Sequence, residues 1–371
     1  MGIASGYLRD CPSEAHRAVA GVLRYNATGL RTPEILRAAR NCDAMAFAEI
    51  AQSHYIDTAL ETAFRTGSAL AEAMPDDLGL FFREMAAANA RRNAALLEQL
   101  TEIAAAMQRD GITCVALKGA VELLEPWWDA PNGRYLSDLD LLVPEDQIEA
   151  AHDVMRAVGA SSNEPPDFVA MPHHHLPAYT ADHWIAQVEL HRRIGMGDVD
   201  ALMPAKYVIA NARPTDLAGV CVPSPTHRLV HLIAHSQLAG GRHLMRRVLL
   251  RDLTGAHFAF AKMAETDIAV AERIFSDGGF ADLWTGYREL THLVFGPDDA
   301  IATTKWARRA LRRFGNPKGE RWFEGFAWAA HYARVLLSAK ERQHHYGDGP
   351  AKKGSLSDLW RFHKRRNRLI R

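Results

Sequence analysis

Asp138 and Asp140 stand two positions apart in SDLDLLV. On an extended chain that spacing turns both carboxylates to one face and Leu139 and Leu141 to the other. Two carboxylates aimed alike repel each other, and a divalent cation between them removes that cost. Glu189 alternates in the same way with Val188 and Leu190 in QVELH, and would bring a third carboxylate from a neighbouring strand. An oxygen-rich site of this kind can hold two Mg²⁺ ions, with Mn²⁺ as a substitute. One ion organises a triphosphate and favours departure of pyrophosphate; the other lowers the pKa of an acceptor hydroxyl and sets it opposite the leaving group. The chemistry expected is in-line attack on the α-phosphorus of a nucleoside triphosphate, with ATP as first candidate. The bland alternative for the two aspartates is a solvated turn or strand edge.

Lys118-Gly119, closing the apolar stretch ITCVAL, supplies the phosphate side of the expectation. Gly119 lets the backbone approach oxygens, N–H groups at a following helix start can bind an anion, and Lys118 can neutralise β- or γ-phosphate charge. Arg134 is a second clamp for phosphate or base, with a structural role as its rival. His191 shares the strand face of Glu189 and can hydrogen-bond a metal-bound carboxylate or touch the acceptor. His227, His231 and His235 recur every fourth residue on one helical face; packing on the sheet or contact with substrate is favoured over soft-metal ligation. Arg251-Asp252 would close the nucleotide site from the helical side or brace a domain junction. His173, His174 and His175 are read as a loop-to-strand turn or substrate rim, because three consecutive strand residues cannot all face one ion.

These side chains need strands to carry them and helices to cover the strands. ITCVALKG and LSDLDLLV read as strands, GAVELLEPWW as a helix between them, and PEDQIEAAHDVMRAVG as a helix opened by Pro144 and stopped by Gly159. HHHLPAYT and HWIAQVELHRR read as two more strands joined at Ala181-Asp182. This order predicts an α+β fold with a small mixed sheet. On either side the periodicity is helical, as in FFREMAAANARRNAALLEQLTEIAAAMQ before the strands and THRLVHLIAHSQLAG after Pro223-Ser224-Pro225. The expected organisation is a helical region over 1–95, a catalytic core over 96–222, a helical domain over 223–350 and a basic tail over 351–371. The amino-terminal helices read as a scaffold.

The 371 residues carry 44 basic and 44 acidic side chains, so net charge encodes no general attraction to nucleic acid or anionic membrane. Basic stretches occur in KWARRALRRF and in the tail around Trp360 and Phe362. A solvated helix and a tail account for them, and nucleic acid is not the favoured partner. Cys11, Cys42, Cys114 and Cys221 lack paired zinc-ligand spacing and read as reduced thiols. The start MGIASGYLRDCPSEAHR has no apolar leader and no long uncharged apolar run follows, so a cytoplasmic protein with no membrane span is expected.

LKGAVELL, GRYLSDLDLLV, VELH, PTHRLVHLIAHSQ and RRVLLRDL, in that order over residues 93–262, resemble the uncharacterised nucleotidyltransferase family within the DNA polymerase beta-like nucleotidyltransferase superfamily. The resemblance implies a polymerase beta-like core whose small mixed sheet carries metal carboxylates and is flanked by helices. It matches Asp138 and Asp140 to the paired metal ligands, Glu189 to the third acid and Lys118-Gly119 to the nucleotide-binding turn. Where the superfamily commonly has Gly-Gly or Gly-Ser, this chain has Gly119-Ala120, and Ala120 offers no hydroxyl to a phosphate. The function implied is Mg²⁺-dependent transfer of a nucleoside monophosphate to a hydroxyl or phosphate of a small-molecule, peptide or protein acceptor. The alternatives are kinase-like phosphoryl transfer, or an inactive regulator that binds a nucleoside triphosphate or peptide.

Overall fold

The central strand is Cys114–Leu117 (β1), whose run CVAL is buried at every position, as expected of a strand covered on both faces. It pairs antiparallel with Asp138–Leu142 (β2), which pairs parallel with Gln187–His191 (β3). On its other side β1 meets Val220–Val222 (β5) in parallel, and Arg213–Pro214 (β4) closes that edge. The five-stranded mixed sheet therefore runs β3-β2-β1-β5-β4. The computed structural model describes residues 14–29, 33–64, 71–128, 133–162, 173–296 and 304–313. The expectations for Cys11, Trp360, Phe362 and the tail fall outside these residues.

Strand alternation divides the interior in two. Cys114, Ala116, Leu139, Leu141, Val188 and Leu190 face a core with Leu96, Leu100, Ile103 and Met107 of the Asp76–Arg109 helix and Ile148, Val154 and Met155 of the Ile148–Ala157 helix. Val115, Leu117 and Leu142 face a second core with Leu229, Val230 and Ile233 of the Pro225–Gln237 helix. This second core continues into both ends of the described chain, through Val19 and Leu23 of the Glu14–Thr28 helix and Trp284 and Tyr287 of the Ala281–Phe295 helix. Arg24 donates to the Gly296 carbonyl at that junction. The helices before and after the sheet thus share one interior. The Asp76–Arg109 helix runs unbroken through position 95, where the sequence pattern placed a domain edge.

Several elements differ locally from expectation. HHHLPAYT forms no continuous strand; His175, Tyr179 and Thr180 make isolated bridges to His191, Val188 and Ser161. Pro177 in its middle has no N–H to give a ladder. The helix after Lys-Gly covers only Ala120–Leu124, because Pro126 pushes Glu125 into an extended conformation (φ −133°, ψ 81°). A 3₁₀ turn, Glu145–Gln147, follows Pro144 before the next helix begins at Ile148. Among the described residues no helix is long and apolar enough to cross a membrane.

Candidate active site

In the parallel ladder of β2 and β3, Asp140 sits opposite Glu189 and Asp138 opposite Gln187. Asp138, Asp140, Glu189 and His191 thereby share one face of the sheet. From β1, Leu117 pairs with Asp140, and the chain leaves through Lys118 in a left-handed conformation (φ 48°). That backbone is uncommon for a residue with a side chain and marks a constrained turn. It directs the Lys118 Nζ to within 2.5 Å of Asp140 Oδ1. The same oxygen accepts from His191 Nε2 at 2.8 Å, and this nitrogen lies 3.4 Å from Glu189 Oε2. His175 Nε2 is 3.9 Å from Glu189 Oε2, and Asp138 Oδ1 accepts from Ser137 Oγ at 3.0 Å.

The charges at this corner are strongly interdependent. Burial alone would raise the Asp140 pKa, but the Lys118 ammonium and the His191 hydrogen bond outweigh it and hold the carboxyl far below its ordinary range. Burial would lower His191, yet its bonds to Asp140 and Glu189 raise it. Its Nδ1 lies 3.3 Å from the Arg193 carbonyl, so both ring nitrogens face acceptors and both carry protons. Glu189 is lowered because His191 and His175 outweigh its burial, whereas Asp138 is raised by burial and by Asp140. Lys118 is raised, its burial overcome by Asp140. Asp138, Asp140 and Glu189 thus face two cationic side chains, Lys118 and His191, which leaves an excess of one negative charge.

Neighbouring elements fix these residues. A Cβ at Gly119 would stand 2.9 Å from Leu136 Cγ, so glycine is needed there for close packing; its own φ is −70°, and the unusual backbone belongs to Lys118. The loop leading into β2 is held from the amino-terminal side. Thr58 Oγ1 donates to the Gly133 carbonyl at 2.9 Å, and Asn89 and Asn93 donate to the Arg134 carbonyl at 3.0 and 3.3 Å. Arg92 donates to the Leu136 and Ser137 carbonyls at 2.9 and 3.2 Å and lies over the Tyr135 ring. Gln99 exchanges two hydrogen bonds with the Ala186 backbone, just before β3. Sequence reasoning missed this seam. Its signal is Asn89, Arg92, Asn93 and Gln99 recurring along one side of an otherwise Ala- and Leu-rich helix.

The remaining candidates divide. His231 and His235 of the Pro225–Gln237 helix sit in the field of Lys118; burial first, then that ammonium, lowers His231 to about 3 and His235 well below its usual value. The buried His231 Nε2 has no partner among the described residues. His227 instead meets Ser224 Oγ at 2.9 Å at the start of its own helix. Arg134 is buried, and the charges bearing on it include Glu122, Arg251 and Asp252. Arg251 Nε lies 3.1 Å from Asp252 Oδ1, with its guanidinium over Tyr55, which puts this pair against the amino-terminal region. Also missed was Glu122, buried and 2.6 Å from Arg228, which ties the short helix after Lys118-Gly119 to the Pro225–Gln237 helix. The chain bends at His174 before the isolated bridge at His175, so strand alternation does not hold across 173–175; their rings gather with centroids 4.3 to 4.5 Å apart. Burial first, then neighbouring imidazoles, drives His174 far down; His175 is lowered by its burial.

A family model described as an uncharacterised nucleotidyltransferase matches residues 41–296. The chain belongs to the uncharacterised nucleotidyltransferase family. The matched span takes in all five strands, the Lys118 turn, the three carboxylates and the polar seam of the Asp76–Arg109 helix. No curated protein and no solved structure matches the chain.

Proposed function

We propose that this nucleotidyltransferase moves a nucleoside monophosphate from a nucleoside triphosphate, ATP first among candidates, to a hydroxyl or phosphate of a small-molecule, peptide or protein acceptor. The observation that carries the reading is the register of β2 against β3, which sets Asp140 beside Glu189 with the Lys118 ammonium on the same carboxylate. The donor set suits a divalent cation: Asp140, Glu189 and His191 offer ligand atoms all within 4.8 Å of one another, and Asp138 shares their face. Asp138, Asp140 and Glu189 would hold Mg²⁺ or Mn²⁺, which when bound supplies charge neutralisation of the triphosphate and acidification of the acceptor hydroxyl.

The chain's own residues complete the scheme. Lys118 and His191 neutralise the buried Asp140 carboxylate, and with a divalent cation held there Asp140 would no longer need both of them. Lys118 then becomes available to the β- or γ-phosphate. His191, anchored through Nδ1 to the Arg193 carbonyl, keeps its ring beside Glu189 and orients that carboxylate. The acceptor oxygen, a hydroxyl passing its proton to solvent, forms a bond to the α-phosphorus as the bond from that phosphorus to the α,β-bridging oxygen breaks, and pyrophosphate departs.

The test is incubation of the full chain with Mg²⁺, ATP labelled separately at the α- and γ-phosphates, and panels of hydroxyl- and phosphate-bearing acceptors, followed by mass spectrometry. The expected result is an acceptor heavier by one nucleoside monophosphate, with labelled pyrophosphate released, and none of either from Asp140→Asn. A γ-phosphate adduct with ADP as co-product would overturn the reading in favour of kinase-like transfer.

A further inference from the structure

Beside the carboxylate corner lies a second cluster built only of imidazoles. We propose that His173, His174 and His175 form a distinct site for a first-row transition cation of borderline softness, with Zn²⁺ the best match. The ligand atoms of these three residues all lie within 4.8 Å of one another. Zn–N bonds of about 2.0–2.1 Å in a tetrahedral site place ligand nitrogens roughly 3.3 Å apart, so closure requires movements of about 1 Å. Side-chain rotation at a bend supplies this without disturbing a ladder.

The hydrogen bonds already orient the rings for ligation. His173 Nδ1 meets the His175 carbonyl at 3.1 Å, and His175 Nδ1 meets the Leu176 carbonyl at 2.6 Å. A carbonyl can only accept, so both Nδ1 atoms carry a proton, and Nε2 is the atom through which either ring can ligate. A backbone carbonyl on the far nitrogen is the usual partner of a metal-bound histidine. His174 adds a second, independent sign, because its Nδ1 is buried with no partner among the described residues. A buried ring nitrogen of this kind is costly unless something occupies its lone pair.

Three protein nitrogens leave a fourth tetrahedral position open. Glu189 Oε2, 3.9 Å from His175 Nε2, lies between this cluster and the carboxylate corner. The two clusters differ in hardness: an all-imidazole set favours Zn²⁺ over Mg²⁺, which keeps oxygen ligands and water. The imidazole site does not depend on the nucleotidyl-transfer reading, since it draws on none of Asp138, Asp140 or Lys118.

The experiment uses the full chain, stripped with chelator and reloaded with Zn²⁺ alone. Binding is followed by calorimetry and the ligand shell by X-ray absorption at the zinc edge. The expected result is one tightly bound equivalent with three imidazoles in its shell. Joint replacement His173→Gln, His174→Gln and His175→Gln is expected to weaken that equivalent at least a hundredfold, whereas Asp140→Asn keeps it. An oxygen-dominated shell, or unchanged affinity in the triple variant, would overturn the proposal, as would loss of the equivalent in Asp140→Asn alone. Should the triple variant fail to fold, the imidazole count in the unaltered protein decides.

Discussion

Two sets of polar side chains meet the strands that carry the carboxylates, and they end on different atoms. Asn89, Arg92, Asn93 and Gln99 of the Asp76–Arg109 helix end on backbone carbonyls. Lys118 and His191 end on a carboxylate oxygen of Asp140. A carbonyl in a loop has no other charge to attract, so the first set fixes where β2 and β3 begin. A buried carboxylate accepts any cation that reaches it, so the second set is exchangeable. The Asp76–Arg109 helix, whose first part read as mere scaffold, therefore holds the backbone that leads into β2 and β3, while Lys118 and His191 hold the Asp140 carboxylate itself.

The sharpest break in this contrast comes from an ion pair on the structural side. Glu122→Ala takes its only ion-paired carboxylate among the described residues from the buried Arg228 guanidinium, leaving it the Glu125 carbonyl and the Trp127 ring, and is expected to cost about 3 kcal/mol in urea unfolding. A cost below about 1 kcal/mol would mean that charge near the site is exchangeable everywhere. Next, Asn89→Ala with Asn93→Ala removes both side-chain donors from the buried Arg134 carbonyl, for an expected loss of about 2 kcal/mol. That loss should appear in the same unfolding assay, and the surviving folded fraction should still bind nucleotide. Lys118→Met takes from the buried Asp140 carboxylate one of its two cationic partners, His191 remaining, and among molecules that stay folded it is expected to weaken triphosphate binding about tenfold, or about 1.4 kcal/mol, by calorimetry.

The smallest effect concerns pH. His231 is buried, faces Lys118, Asp140, His191 and Arg134, touches the ring of His235, and is held near 3 in the fold. Its unfolded value is about 6.5, so the unfolded chain takes up its proton first and stability falls as pH drops below that value toward the folded pKa. Between pH 7 and 5.5 this group alone should remove about 1 kcal/mol. His231→Gln is expected to flatten the measured pH dependence by that amount; an unchanged slope would show that the ring titrates normally.

The alternation in SDLDLLV and QVELH states which face Asp138, Asp140 and Glu189 take on their own strands. It does not state that Glu189 pairs with Asp140 in particular, since a register between strands far apart in the chain leaves no local trace. The helices were legible because their apolar period is local, and the five-strand mixed sheet was legible as a class. The three-residue strand β5 and the two-residue β4 were too short to show a period. Residues 173–175 read as a loop-to-strand turn, and a bend at His174 lies there; the break-up of the strand that follows was hidden, because the effect of Pro177 depends on where the rest of the sheet lies. Nor did composition reveal that the Glu14–Thr28 and Ala281–Phe295 helices close one core, since elements so far apart in sequence come together only through tertiary packing.

Manganese binding monitored by electron paramagnetic resonance, in the presence of a non-cleavable α,β-methylene ATP, needs no acceptor and reads the carboxylate corner itself. The unaltered protein should bind Mn²⁺ together with the nucleotide analogue, and Asp140→Asn and Glu189→Gln should each weaken that binding at least about a hundredfold while remaining folded. Equal Mn²⁺–nucleotide affinity in the unaltered protein and both folded variants would contradict a role for these paired strands in holding a metal-bound triphosphate.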